Sequence, residues 1–260
     1  MAATAVLILL AAAAVAFGGW YALFILPTQW LKVERITRPL GLNVTMLQLS
    51  DLHVEQLRIK PERIARLIRA EKPDYIMVTG DFTQKEAQLP MLRRYLEVLR
   101  GSGVPVFAVL GNHDYQLRKV GRLVKLLEQC GVRLLRNEHV PLDRFELIGI
   151  DDYGSGKSRI GPAFAGVSAE LPRIVITHDP NVVLQLEERY DYLLAGHLHG
   201  KQVNIPFFFR LRPMGKLPAM GIYKGLHTNR YGTYYISKGL GQTKYNIRLF
   251  VRSEATVHRL

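Results

Sequence analysis

Five short polar clusters, each standing directly after an apolar run, constrain this chain more than any other feature. They are Asp51-Leu52-His53, Gly80-Asp81, Gly111-Asn112-His113-Asp114, Thr177-His178-Asp179 and Gly196-His197-Leu198-His199-Gly200. The runs before them read as strands at residues 44–49, 75–78, 104–110, 173–177 and 192–195. Between the early ones, apolar residues recur at helical spacing: Ile64, Leu67 and Ile68, then Leu92, Tyr95, Leu96 and Leu99, then Val120, Leu123, Val124 and Leu127. Such alternation predicts a layered α/β domain in which parallel strands share one carboxyl edge, where ligands bind. Five segments far apart in sequence are therefore expected to converge on one site. Further strands are expected at 146–150, 233–237 and 248–252, with parallel pairing early in the chain and more antiparallel pairing late.

The clusters supply carboxylates, imidazoles and an amide oxygen but no thiolate, a donor set suited to divalent manganese, iron or zinc. The single cysteine, Cys130, excludes both an intrachain disulfide and a cysteine-rich zinc site. One Asp-X-His alone reads as a surface turn. Five of the eight histidines falling into strand-end clusters is a different matter, because a purely structural account would need a separate reason for each.

In this order, Asp-X-His, Gly-Asp, Gly-Asn-His-Asp, a lone His and Gly-His-X-His resemble the calcineurin-like metallophosphoesterases. The resemblance runs from about residue 43 to 258, and Ser237-Lys238-Gly239-Leu240-Gly241 is similar to a C-terminal signature of the membrane-anchored bacterial branch. It implies a four-layer α-β-β-α sandwich and a pair of divalent metal ions, manganese foremost. Asp51, His53 and His199 would hold the first metal, Asn112, His178 and His197 the second, with Asp81 bridging them. His113 would be a proton donor to the leaving oxygen, with Asp114 holding its ring. The implied activity is hydrolysis of a phosphoester, phosphodiester or pyrophosphate. Leu198 stands where threonine is commoner and Lys201 where a second glycine is common; neither change removes a ligand.

Residues 2–31 carry no charged side chain, and residues 2–26 are long enough to cross a hydrocarbon core, which takes about 20 helical residues. The expectation is a transmembrane anchor over residues 1–31, a linker over 32–42 and a catalytic domain over 43–260. A cleaved signal peptide and a buried helix are the rival readings. Trp20, Tyr21 and Trp30 suit a lipid–water boundary, and Lys32, Arg35 and Arg38 just after the segment favour a single-pass protein with its domain facing the cytoplasm.

Charge alone reads as ordinary solubility, but its distribution is uneven. Residues 201–260 hold eleven Lys/Arg and one acid, Glu254, which is ten of the thirteen net positive charges. That field draws phosphorylated small molecules, lipid head groups or nucleic acid. No aromatic-interleaved stretch offers a base-stacking platform, so a phosphorylated small molecule or lipid is expected and nucleic acid is not. A nuclease and a non-catalytic scaffold on the same fold remain the alternatives. Gly154-Ser155-Gly156-Lys157-Ser158 fails as a phosphate loop, because Asp151 stands where the first glycine belongs. Asp151 and Asp152 read as a polar turn before a site rim, and His139, His227 and His258 as surface or core residues. Pro206-Phe207-Phe208-Phe209-Arg210-Leu211-Arg212 reads as internal packing, with a lipid-surface loop as its alternative.

Overall fold

The computed structural model describes residues 1–205 and 215–260, so the aromatic–arginine segment 206–212 lies outside the described residues. Among the described residues, twelve strands form two six-stranded sheets. The first runs, in spatial order, β1 (Lys32–Thr37), β12 (Glu254–Arg259), β2 (Thr45–Leu49), β3 (Tyr75–Thr79), β4 (Val106–Val109) and β5 (Val132–Leu134). The second runs β10 (Gly225–Asn229), β11 (Gly232–Ile236), β9 (Tyr192–Ala195), β8 (Arg173–Ile176), β7 (Glu146–Gly149) and β6 (Glu138–Pro141). Strands β2 to β5 pair in parallel, as expected for the early chain. The late strands are mixed: β11 is parallel to β9 and antiparallel to β10, while β12 is parallel to β1 and antiparallel to β2.

Alternation along each strand builds the layers. Met46 and Met77 point into a core shared with Phe145, Ile174, Leu194 and Tyr235 of the second sheet, so the two sheets stack face to face. Their neighbours Leu47, Leu49, Ile76 and Val78 point the other way. There they meet the apolar faces of α3 (Pro61–Glu71), α4 (Leu89–Gly101) and α5 (Val120–Gln129). The outer face of the second sheet is covered by α6 (Ile160–Phe164), the turn Pro180–Leu184 and α7 (Lys216–Ala219). This is a four-layer α-β-β-α arrangement.

The apolar N-terminus is helical throughout. Helix α1 (Ala2–Trp20) buries none of its side chains and passes through a π turn, Tyr21–Ile25, into α2 (Leu26–Gln29). Pro27 explains the π turn, because its ring lacks an N–H and crowds the carbonyl of residue 23. The 28 residues Ala2–Gln29 are long and apolar enough to cross a membrane. The end of the helix is fixed to the catalytic half: Arg248 N–H donates to Phe24 O, Ser253 N–H to Pro27 O and Ser253 Oγ to Thr28 O.

Two expectations need correction. Residues 32–37, read as part of a linker, are strand β1, paired along its whole length with β12. Lys32, Glu34 and Arg35 disguise an edge strand that needs only Val33 and Ile36 to touch the cores. The run at 248–252 is not a strand, because its backbone is engaged elsewhere, Arg248 with the helix end and Leu249 with Gln202 and Asn204. The final strand begins at Glu254.

Candidate metal centre

The five clusters meet where both sheets run out. Asp51 and His53 follow β2, Asp81 follows β3, and Asn112 follows β4; His178 follows β8, and His197 and His199 follow β9. Their side chains form two overlapping groups of potential metal ligands. One contains Asp51, His53, Asp81 and His199, the other Asp81, His178 and His197. Asp81 Oδ2 lies 3.3 Å from His53 Nε2 and 3.2 Å from His178 Nε2. Asn112 Oδ1 is 3.2 Å from His178 Nε2, and Asp51 Oδ1 is 3.4 Å from His199 Nε2. Against burial, which would raise it, His178 and His53 hold the Asp81 carboxyl well below its usual value.

Backbone strain accompanies this convergence. Asp51, His53, Asp81, His197 and His199 have φ of 52°, 40°, 56°, 72° and 47°, in the left-handed region that side chains avoid. Close approach also needs glycine: a Cβ on Gly111 would stand 2.2 Å from Asp81 Oδ1, and one on Gly196 would stand 1.9 Å from Ser50 Oγ.

The residues fit divalent cations. His53 is fully buried, yet neither ring nitrogen has a hydrogen-bond partner. Two orphaned imidazole nitrogens beside carboxylates are costly unless a cation takes the lone pair. Other ligand atoms are held from behind: Ser50 Oγ donates to Asp51 Oδ2 at 2.6 Å, and His178 Nδ1 is paired with Thr79 O at 2.8 Å.

His113 stands at the edge of this group, its ring 4.9 Å from that of His53. Its Nδ1 is buried without a partner and its Nε2 lies 3.4 Å from Thr243 Oγ1. Asp114 does not hold this ring, contrary to expectation. Its Oδ1 accepts from Phe82 N–H and Thr83 N–H, and its Oδ2 accepts from Gly111 N–H. The carboxylate therefore ties the Asp81 loop to the Asn112 loop. Burial, followed by the charge of Asp81, pushes it up to about 7.

Sequence reading missed three supports. Glu55 accepts from Thr83 Oγ1 at 2.8 Å and stands 3.9 Å from His53 Nδ1. Ser50, directly before Asp51, was legible only by adjacency. Arg248, fully buried, donates to the carbonyls of Lys238, Gly239 and Gly241. That loop in turn donates Leu240 N–H to Ser50 O and Gly241 N–H to Asp51 O. Lys201 is placed with its ammonium 4.0 Å over the Tyr223 ring. Asp151 is no rim residue but a buried anchor, taking Tyr115 Oη at 2.5 Å and Arg136 Nε at 3.3 Å. His258 is buried in the core, and His139 and His227 lie outside the site.

A buried cluster of imidazoles and carboxylates, gathered where two stacked sheets run out, fits a metallophosphoesterase. The profile of the calcineurin-like phosphoesterases matches residues 44–201, and the chain belongs to that family. It is 39% identical to the uncharacterized metallophosphoesterase YkoQ of Bacillus subtilis, over 85% of each chain. It is 30% identical to the phosphodiesterase YaeI of Escherichia coli, over 83% of this chain and 81% of the relative. It is 24% identical to the UDP-2,3-diacylglucosamine pyrophosphatase LpxG of Chlamydia muridarum, over 88% of this chain and 87% of the relative. The protein is a metal-dependent hydrolase of phosphoric esters.

Proposed function

We propose that the chain uses two divalent cations, manganese foremost, to hydrolyse a phosphodiester or pyrophosphate bond in a small or lipid-linked substrate at a membrane. The observation that carries this reading is Asp81, the one carboxylate common to both ligand groups. Two like-charged cations need an anionic bridge between them, and Asp81 would supply it. Asp51, His53 and His199 would complete one site, and Asn112, His178 and His197 the other. When bound, such a pair neutralises charge developing on phosphorus and lowers the pKa of water.

The chain's own residues account for the rest. His113 delivers a proton to the leaving oxygen from a ring that the cluster does not consume. Asp114 keeps the Asp81 and Asn112 loops in register through three backbone bonds. The apolar helix supports the membrane setting, and LpxG, named for a diacylated nucleotide sugar, supports a lipid-linked substrate. The three basic residues after the helix favour a domain facing the cytoplasm.

The test is a panel of phosphorylated metabolites, nucleotide sugars, phospholipids and single-stranded nucleic acid, given to the full chain with and without manganese. Metal-dependent turnover of a diester or pyrophosphate is expected. Hydrolysis confined to nucleic acid, or unaffected by chelator, would overturn the proposal.

A further inference from the structure

Beside the docked end of the apolar helix lies a cavity of about 700 Å³, and no expected metal ligand lines it. Ala22 and Leu23 of the π turn line it, together with residues of β1 and the β10–β11 hairpin. Among the described residues, four cations line it, Lys32, Lys224, Lys238 and Arg252, against one carboxylate, Glu34. That carboxylate is already claimed. Lys32 pairs with it, and Lys238 lies 3.7 Å away while also pairing with Glu254. Burial first, then the ammoniums of Lys238 and Lys32, pull Lys224 below its ordinary pKa, with Glu254 opposing. An anion placed among these cations would relieve that repulsion.

The surroundings say which anion. Arg252 lies 4.3 Å over the ring of Trp30, which is 57% exposed, and Phe250 on the cavity lining is 69% exposed. Exposed aromatic rings beside basic groups, at the foot of an apolar helix, are the pattern of a membrane interface. The cavity adjoins the metal centre without sharing a ligand with it. Lys238 lines it, whereas the next residue, Gly239, packs behind Asp51 so closely that a Cβ there would lie 2.8 Å from Asp51 Cβ.

We propose that this cavity binds the phosphate headgroup of an anionic phospholipid, held by Lys32, Lys224 and Arg252, with its acyl chains along Ala22 and Leu23. The lipid is a fixture that sets how the catalytic domain sits on the bilayer, not the molecule that is hydrolysed. This rests on the reading of the helix as a membrane span.

The experiment uses the full chain, delipidated in detergent, in native mass spectrometry with phosphatidylglycerol, phosphatidylcholine or inorganic phosphate added. One phosphatidylglycerol per chain is expected, in clear preference to phosphatidylcholine and undisplaced by inorganic phosphate. Lys224→Gln with Arg252→Gln should weaken its retention roughly 25-fold, about fivefold for each charge lost near a lipid surface. Aryl phosphate hydrolysis by that variant should stay unchanged, which shows that it is folded. Equal retention of the two lipids, or of phosphatidylglycerol by parent and variant, would overturn the inference. Displacement by inorganic phosphate would also overturn it, by pointing to a soluble anion. Alkaline carbonate separates the two readings. Release of the chain from membranes removes the span and this inference together, whereas a retained chain without lipid preference removes this inference alone.

Discussion

The backbone N–H of Arg248 donates to the carbonyl of Phe24 at 2.9 Å, so the last third of the chain caps the apolar helix. The same residue's guanidinium gathers the carbonyls of Lys238, Gly239 and Gly241 at 2.9, 2.9 and 2.6 Å. Through that loop, helix and metal centre share one buried cation. Arg248→Ala should leave the Lys238 carbonyl unpaired, while Gly239 O keeps Glu254 N–H and Gly241 O keeps His199 Nδ1, and should cost about 1–3 kcal/mol of stability, the range for one orphaned group. Metal content should fall with it, because Gly239 and Gly241 back Asp51. Thermal unfolding in detergent and elemental analysis check both. Unchanged metal content would uncouple the loop from the centre.

Asp81 and His113 separate metal binding from proton transfer. Asp81→Ala removes the shared carboxylate and should lose both metal and activity. His113→Ala should keep its metal while slowing turnover ~10²–10⁴-fold, the range for a lost general acid. Elemental analysis beside steady-state kinetics makes the comparison. Similar metal loss in both variants would refute this division.

How much of this was legible in the sequence follows from where each signal resides. The ligand clusters were visible because Asp, His and Asn stand out at the ends of apolar runs, and strand ends share an edge by topology alone. Inner strands other than β12, whose apolar run is broken by the buried Glu254, Thr256 and His258, were visible for the same reason, since burial on both faces leaves near-continuous apolar runs such as Ile76-Met77-Val78. Edge strands were not. In β1, β5, β6 and β10 one side faces solvent, so residues such as Arg133 and Thr228 interrupt the pattern. Supports were invisible for another reason. Arg248 reads as surface charge until folding buries it among carbonyls contributed by distant residues. Asp114 misled because adjacency to His113 suggested a ring contact, whereas its oxygens were needed by Phe82, Thr83 and Gly111.

Asp114→Asn tests that corrected role. An amide cannot accept at both ends, so one NH2 would face a backbone N–H, at a cost of about 1–3 kcal/mol. If the carboxylate acts on the loops alone, the loss of stability should be the same in the His113→Ala background, within ~0.5 kcal/mol. A coupling well above that value in a double-mutant cycle would restore a contact with the ring.

His258 should give the folded domain an acid limit independent of the metal centre. It lies fully buried between the sheets, facing Tyr192, Tyr235 and Gln48, with Glu254 on the far side of Tyr235. Gln48 spends its amide N–H groups on Thr79 Oγ1 and Ala195 O, so its oxygen accepts from His258 Nε2. Nδ1 is then the acceptor for Tyr192 Oη, and the ring is neutral. Burial pulls its pKa down to about 3. The unfolded chain protonates this ring below about 6.5 and the folded one does not, so stability is full above that pH and drains as pH falls toward 3. The loss by pH 5 is ~2 kcal/mol. Unfolding followed between pH 7.5 and 5 should therefore be less pH-dependent in His258→Gln than in the parent. Identical slopes would show that the ring is not buried neutral.

The proposed membrane anchor and cytoplasmic domain are open to direct test. Lys32, Arg35 and Arg38 follow the apolar helix within nine residues of Gln29. Retaining those three on the cytoplasmic side is favoured. The structure tightens the argument, because β1 is part of the first sheet and the helix end is bonded to Arg248 and Ser253, just before β12. With no free linker between helix and domain, the charges and the metal centre must lie on one side. Protease added to spheroplasts should leave the domain intact while cutting an external control. Degradation of the domain with a cytosolic marker preserved would place the metal centre outside, and would remove cytosolic nucleotides from its possible substrates.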